Sequence, residues 1–121
     1  ALGNAMQALS LTDESIRHAS SGKLQTDPHL SDLHLTRGQA LLKLGRPTEA
    51  RDAFRISDEF WRRYDPASHW AAEASYWLAR ALIDTGDRAA GHPMLKSARV
   101  RLAKSPMPSH RALAKPASLP R

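Results

Sequence analysis

The clearest pattern along the chain follows Pro47. Ala50, Ala53, Phe54, Ser57, Phe60, Trp61 and Tyr64 recur at three-and-four spacing, while Arg51, Asp52, Arg55, Asp58, Glu59 and Arg62 fill the positions between them. A period of 3.6 residues puts the first set on one face of a helix and the second on its solvated face. On that solvated face Asp58 and Arg62 are four residues apart and Asp52 and Arg55 three apart, pairings that add about 0.2–0.5 kcal/mol each. Upstream, Leu2, Met6, Leu9, Ile16 and Ala19 make a second apolar stripe that runs out at Gly22, which predicts a helix over 2–21.

Punctuation between the stripes repeats. Asp27-Pro28-His29 returns as Asp65-Pro66-Ala67, 38 residues on, and Leu44-Gly45-Arg46 returns as Thr85-Gly86-Asp87, 41 residues on. Asp accepts hydrogen bonds from the orphan amides at a helix start, and Pro at the first helical position gives up an amide that had no partner. Glycine ends helices because the residue after the last turn adopts positive φ, which costs glycine nothing. The expected helices therefore cover about 28–44 and 66–85, each followed by a second helix after its glycine.

The last of these uses Met94, Leu95, Ala98 and Leu102 between Arg88 and Ala103. Pro93 falls inside its second turn, so the expectation is a delayed start near His92 or a kink. Beyond Ser105, Pro106, Pro108, Pro116 and Pro120 with interspersed Ser and Lys predict an extended, mostly disordered tail over 105–121. The reading is all-α: about five helices in a domain over 1–104, made of a helix over 2–21 that either caps the stack or is the second half of a preceding repeat, a unit over 28–64 and a unit over 66–104.

Composition refines this picture at three points. Apolar residues at 41% and charged residues at 25% of 121 positions are globular usage for one domain. The chain has no cysteine, so disulfides and thiolate metal sites are excluded and packing alone must hold the fold; a reducing cytoplasm fits. No apolar run reaches the roughly 18 residues of a membrane span, and Ala1-Leu2-Gly3-Asn4 lacks the layout of a signal peptide. The expectation is a soluble, cytoplasmic chain, and the missing initiator Met suggests a piece of a longer protein.

The net charge of +6 is a C-terminal property. Through Asp87 there are ten Lys and Arg against twelve Asp and Glu, whereas from Arg88 onward there are eight basic residues and no acid. Electrostatic binding of nucleic acid or another anionic surface through this region is the alternative function. Against it, the segment has no aromatic residue for base stacking and no recognised reader motif.

Signs of catalysis are absent. The histidines His18, His29, His34, His69, His92 and His110 include no pair spaced like a helix-borne zinc site. There is no phosphate-cradling glycine loop and no nucleophile elbow. Asp58 and Glu59 are adjacent and point to different sides of a helix, so they make no acid/base pair. The expectation is a non-enzyme without cofactor or metal.

Gly38, Leu41, Gly45, Glu49-Ala50 and Phe54 in one unit, and Leu78, Ala79, Leu82, Gly86, Leu95 and Ala98 in the next, resemble the tetratricopeptide repeat, a helix-turn-helix unit of about 34 residues. The resemblance covers about 31–103. It departs from the family pattern at His34 and Arg37, where Trp and Leu are usual, at Gly91-His92-Pro93, and in its longer period. Elongated units of this kind resemble repeat regions of large bacterial regulators and kinase-linked proteins.

The resemblance implies antiparallel helical hairpins stacked as a short right-handed solenoid, with the first helix of each pair lining a concave face. That face would present Leu35, Gln39, Leu42 and Lys43 from one unit and Tyr76, Arg80 and Ile83 from the next. A protein or peptide partner carrying an acidic group would suit Lys43 and Arg80. The same residues suit a second arrangement, in which Tyr76 and Trp77 belong to the inter-unit core and Arg80 and Lys43 are solvated charges. Two and a half units leave apolar ends uncovered, so a homodimer is a further expectation.

Overall fold

The computed structural model describes residues 2–19 and 27–115. The described residues are all-α, with six helices and no strand: α1 (Leu2–Ala19), α2 (Pro28–Lys43), α3 (Pro47–Tyr64), α4 (His69–Asp84), α5 (Arg88–Leu102) and α6 (Pro108–Ala114). Each helix packs on its neighbours in sequence, and α2 also touches α4. The end of the first helix expected at Gly22, and the part of the tail after Lys115, lie outside the described residues.

Two hairpins share one construction. At the end of α2 the amide of Gly45 bonds the Leu42 carbonyl and that of Arg46 the Leu41 carbonyl; at the end of α4 Gly86 bonds Ile83 and Asp87 bonds Leu82. Gly45 and Gly86 have φ of 72° and 97°, the left-handed conformation that lets the chain double back. The next helix then starts on Pro47 at its first turn in one hairpin, and on Asp87, whose carboxylate caps the Ala90 amide, in the other.

The two hairpins keep a 41-residue register at three of their four helix boundaries, α3 and α5 ending 38 apart. Helices α2 and α4 start and end 41 positions apart, as α3 and α5 start 41 apart. Burial follows the same register: Ser31 with Ala72, Leu35 with Tyr76, Gly38 with Ala79, Ala40 with Ala81 and Leu41 with Leu82, then Ala50 with Gly91, Phe54 with Leu95, Ser57 with Ala98 and Trp61 with Leu102 are buried in both copies. Where Ser31 and Ser57 share a hydrogen bond of 2.8 Å between α2 and α3, the second hairpin places Ala72 and Ala98. A polar pair and an apolar pair thus do the same packing.

This register corrects the 38-residue spacing of the Asp-Pro pairs. Helix α4 does not begin at Pro66 but at His69, with Ser68 as its cap accepting the Ala71 amide at 3.1 Å. The reason is distant in sequence: the Arg101 guanidinium on α5 donates to the carbonyl oxygens of both Pro66 and Ser68, fixing 66–68 as a turn. Nor does α5 wait for His92. It starts at Arg88 and runs through Pro93, and since Ala89 and Pro93 are both exposed, the carbonyl that Pro93 leaves without a donor has water at hand.

Three further expectations are revised. The count is six helices rather than about five, because residues 108–114 of the expected disordered tail form α6, opened by Pro108 and pinned by His110, which is fully buried. Arg99 Nε donates to the Ala114 carbonyl and Arg111 Nη1 to the Ser105 carbonyl, tying both ends of this short helix down. Asp58 is not on the solvated face: it is 4% exposed, and while its carboxylate does take Arg62 Nε at 2.6 Å, it also accepts the Ser75 hydroxyl of α4 at 2.7 Å. Asp52 contacts Arg51 rather than Arg55.

The core is centred on Phe54, buried with Leu35, Leu41, Ala50, Leu78, Ala81 and Leu82. A methyl group at Gly38 would lie 2.6 Å from Phe54 Cδ1, so glycine there is what admits the ring. Trp77 stacks over it from α4 at 5.9 Å. Phe54→Ala is expected to cost about 3–5 kcal/mol, and Gly38→Ala about 1–3 kcal/mol by overpacking. Both are measured by urea unfolding; a Gly38→Ala protein as stable as the parent would contradict this packing.

Candidate functional site

The seven residues expected on a concave face do not meet on one surface. Leu35 is in the core and Tyr76 is fully buried. Leu42, half-buried, packs on the Phe54 cluster. Gln39 and Lys43 line a cleft of about 250 Å³ whose other wall is Asn4, Ala5 and Ala8 of α1. Arg80 lies with its guanidinium carbon 4.9 Å from the centre of the Trp77 ring and 5.7 Å from that of Tyr76, a cation-π arrangement, and its Nη1 donates to Tyr76 Oη at 3.4 Å. Ile83 leans on the second core cluster and borders a larger cleft beside α5.

That cleft, of about 1030 Å³, is walled by Ile83 and Asp84 of α4, by one side of α5 and by Ala114 of α6. Along α5 it exposes Arg88, His92 and Lys96 at four-residue intervals, followed by Val100 and Ala103. Leu95 and Ile83 make an apolar floor, and Val100, 57% exposed, an apolar lip. Asp84 is the one carboxylate among the lining residues. A cluster of like charge on one helical stripe repels itself slightly and attracts anionic groups.

The basic C-terminal region is less available than its composition suggests. Arg99, Arg101 and Arg111 all donate to backbone carbonyl oxygens within the fold. Their charge is not lost, but their geometry is committed to holding α6 and the α3–α4 turn. Sequence reading missed this use because the carbonyl groups involved are up to 35 residues away.

A second constellation legible only in three dimensions lies between α4 and α6. Ser105 Oγ and His110 Nδ1 are 2.9 Å apart, and His110 Nε2 is 3.6 Å from Glu73 Oε1. The residue types are those of an acyl-transfer triad. The geometry serves structure instead: Ser105 is 3% exposed, and its hydroxyl oxygen accepts the Met107 amide, so no substrate can reach it. Trp70 closes the pocket edge-on against the imidazole at 5.0 Å.

Burial pushes the Glu73 carboxyl up to about 7, with the charge of Asp32 on α2 adding to the rise. Burial also lowers the His110 pKa, helped by the charge of His69. Both shifts favour neutral groups, and the 3.6 Å separation is long for an ion pair. Among the described residues no group of three or more His, Asp or Glu side chains is arranged to hold a metal ion, and no helix is long and apolar enough to cross a membrane.

Comparison of the chain with models of protein families, with curated proteins and with solved structures finds no match of any of the three kinds.

The Glu73 shift has a definite sign. A carboxyl whose folded-state pKa is raised binds its proton more tightly when folded, so stability falls as pH rises from about 4.5 to about 7 and is flat above. Glu73→Gln removes that loss. The variant is expected to exceed the parent by roughly 2 kcal/mol at pH 8 and to match it near pH 4.5, read from denaturant midpoints at the two pH values. An equal difference at both would refute the assignment.

Proposed function

We propose that this chain is a helical-repeat scaffold of the tetratricopeptide kind, a stretch of a solenoid that binds another polypeptide and performs no catalysis of its own. The observation that carries this reading is the 41-residue register, in which helix starts, stop glycines and buried positions coincide in two successive hairpins. Units built this way bury their apolar faces on one another and leave extended surfaces for partners. Gly38 admits the Phe54 ring, and the positions 41 residues on, Ala79 and Leu95, are buried in one cluster, which supports this reading.

Of the surfaces available, the cleft beside α5 suits a partner better than the face of α2 and α4. Leu35 and Tyr76 are spent in the core, and Arg80 is held over two aromatic rings. The cleft offers apolar area and basic groups together, which is the make-up of a specific protein interface. Nucleic acid is the weaker reading, because three arginines of the basic region bond the protein's own backbone and no Phe, Tyr or Trp lines the cleft.

The test is affinity capture from a cell extract on the immobilised chain, followed by rebinding of each captured protein in purified form. The expected outcome is a saturable one-to-one complex, with light scattering reporting whether the chain itself is monomeric or dimeric. No captured protein that rebinds, or tight salt-sensitive retention of DNA in its place, would end the scaffold reading.

A further inference from the structure

The two hairpins differ in how much of their flank is covered. Over the first, the second half of α4 lies along α3: Trp77 stacks on Phe54, Leu78, Ala81 and Leu82 join its core, and Ser75 bonds Asp58. By the 41-residue register, the corresponding cover for α5 would be a helix continuing α6 past Ala114, which is the equivalent of Glu73. Helix α6 stops there. Lys115 is extended, with φ −78° and ψ 137°, the conformation that a following proline imposes, and Pro116 follows. The part of the cleft at Leu95 and Arg99 is where α4 packs on Phe54 and Asp58 in the sister hairpin, whereas Lys96 and Val100 correspond to Arg55 and Glu59, which are exposed there too.

The charge around that seat is one-sided. Arg88, His92 and Lys96 stand along it, all exposed, opposed by Asp84. From Arg88 to Arg121 the sequence contains no carboxylate side chain, so no downstream residue of these can neutralise them. Arg88 and Lys96 are eight positions apart, about 12 Å along the helix axis. Val100 and the floor formed by Ile83 and Leu95 supply the apolar contact between and beyond the charges.

We infer that this cleft is a seat for an amphipathic helix supplied by a partner protein. That helix carries an apolar stripe for Ile83, Leu95 and Val100, and carboxylates about two turns apart for Arg88 and Lys96. The inference rests on the scaffold reading above and names its partner chemistry. A phosphate backbone fits less well, since of the three full cations lining the cleft Arg99 is held by the Ala114 carbonyl, and the floor of Ile83 and Leu95 is apolar.

The experiment uses the full chain and three labelled probes in fluorescence anisotropy. These are a blocked peptide of about 15 residues with a leucine stripe flanked by glutamates, its twin with lysines for the glutamates, and a short DNA duplex. The variants are the double charge reversal Arg88→Glu with Lys96→Glu, and Val100→Asp; all three positions are exposed, and circular dichroism confirms that each variant remains folded. The glutamate peptide is expected to saturate the parent chain at one to one, to bind roughly tenfold more weakly to the charge-reversed variant, and to lose affinity to Val100→Asp. The lysine peptide is expected to bind the charge-reversed variant in preference to the parent.

Affinity for the glutamate peptide that ignores these substitutions, no saturable peptide binding, or stronger binding of the duplex would each overturn the proposal. So would concentration-dependent self-association of the chain that the same substitutions abolish, because the occupant would then be a second copy. A captured protein partner whose binding is untouched by the charge reversal would end this inference and leave the scaffold reading standing; failure of capture as well would end both.

Discussion

The ring of Phe54 on α3 packs against residues of both α2 and α4, and the missing side chain of Gly38 is what lets it in. A benzyl group needs a hollow of its own size to pack at interior density, and a helix surface provides one only where a residue is absent or small. Gly38 provides it on α2, and Trp77 roofs the ring from α4. One side chain thereby sets the distance between two helices of one hairpin and the position of the first helix of the next. The second hairpin buries Leu95 and Ala79 in one cluster, and Gly91 makes room for Ile83.

Around that apolar hub the polar interactions act as registers between helices. Ser31 with Ser57 joins α2 to α3, Asp58 with Ser75 joins α3 to α4, and Arg101 on the turn carbonyls joins α5 to the start of α4. Arg37, at a position where the resembling family has leucine, reaches Asp13 of α1 instead. Such a half-exposed ion pair contributes at most about 1 kcal/mol, yet its placement selects which face of α1 meets α2. The buried ones, Ser31 with Ser57 and the Asp58 carboxylate, are costly to leave unpaired, so they discriminate between alternative packings more than they add to stability.

The functional reading follows from where this arrangement stops covering itself. Two hairpins with one register invite comparison side by side, and the difference between them is the cleft. Helix α6 ends at Ala114, and the cleft beside α5 is lined by Arg88, His92, Lys96 and Arg99 against the single carboxylate of Asp84. The Glu73–His110 contact bears on the same region from the other side, because it fixes the short α6 against α4.

Local patterns were enough to establish the helices themselves. The apolar spacing after Pro47, the two stop glycines and the Asp27 cap act within a turn or two of the residues that carry them, and α2, α3 and the glycine turns stand where those residues put them. The small-residue positions Gly38 and Ala79 and the large ones Phe54 and Leu95 likewise mark the repeat in the sequence. What only the tertiary structure decided are features whose partners are far along the chain. Arg101 moves the start of α4 from Pro66 to His69, Ser75 draws Asp58 off the solvated face, and burial of His110 turns part of an apparent tail into α6. The seven expected groove residues were dispersed for the same reason: spacing tells which side chains share a helical stripe, whereas the neighbouring helix decides whether that stripe meets core, flank or water.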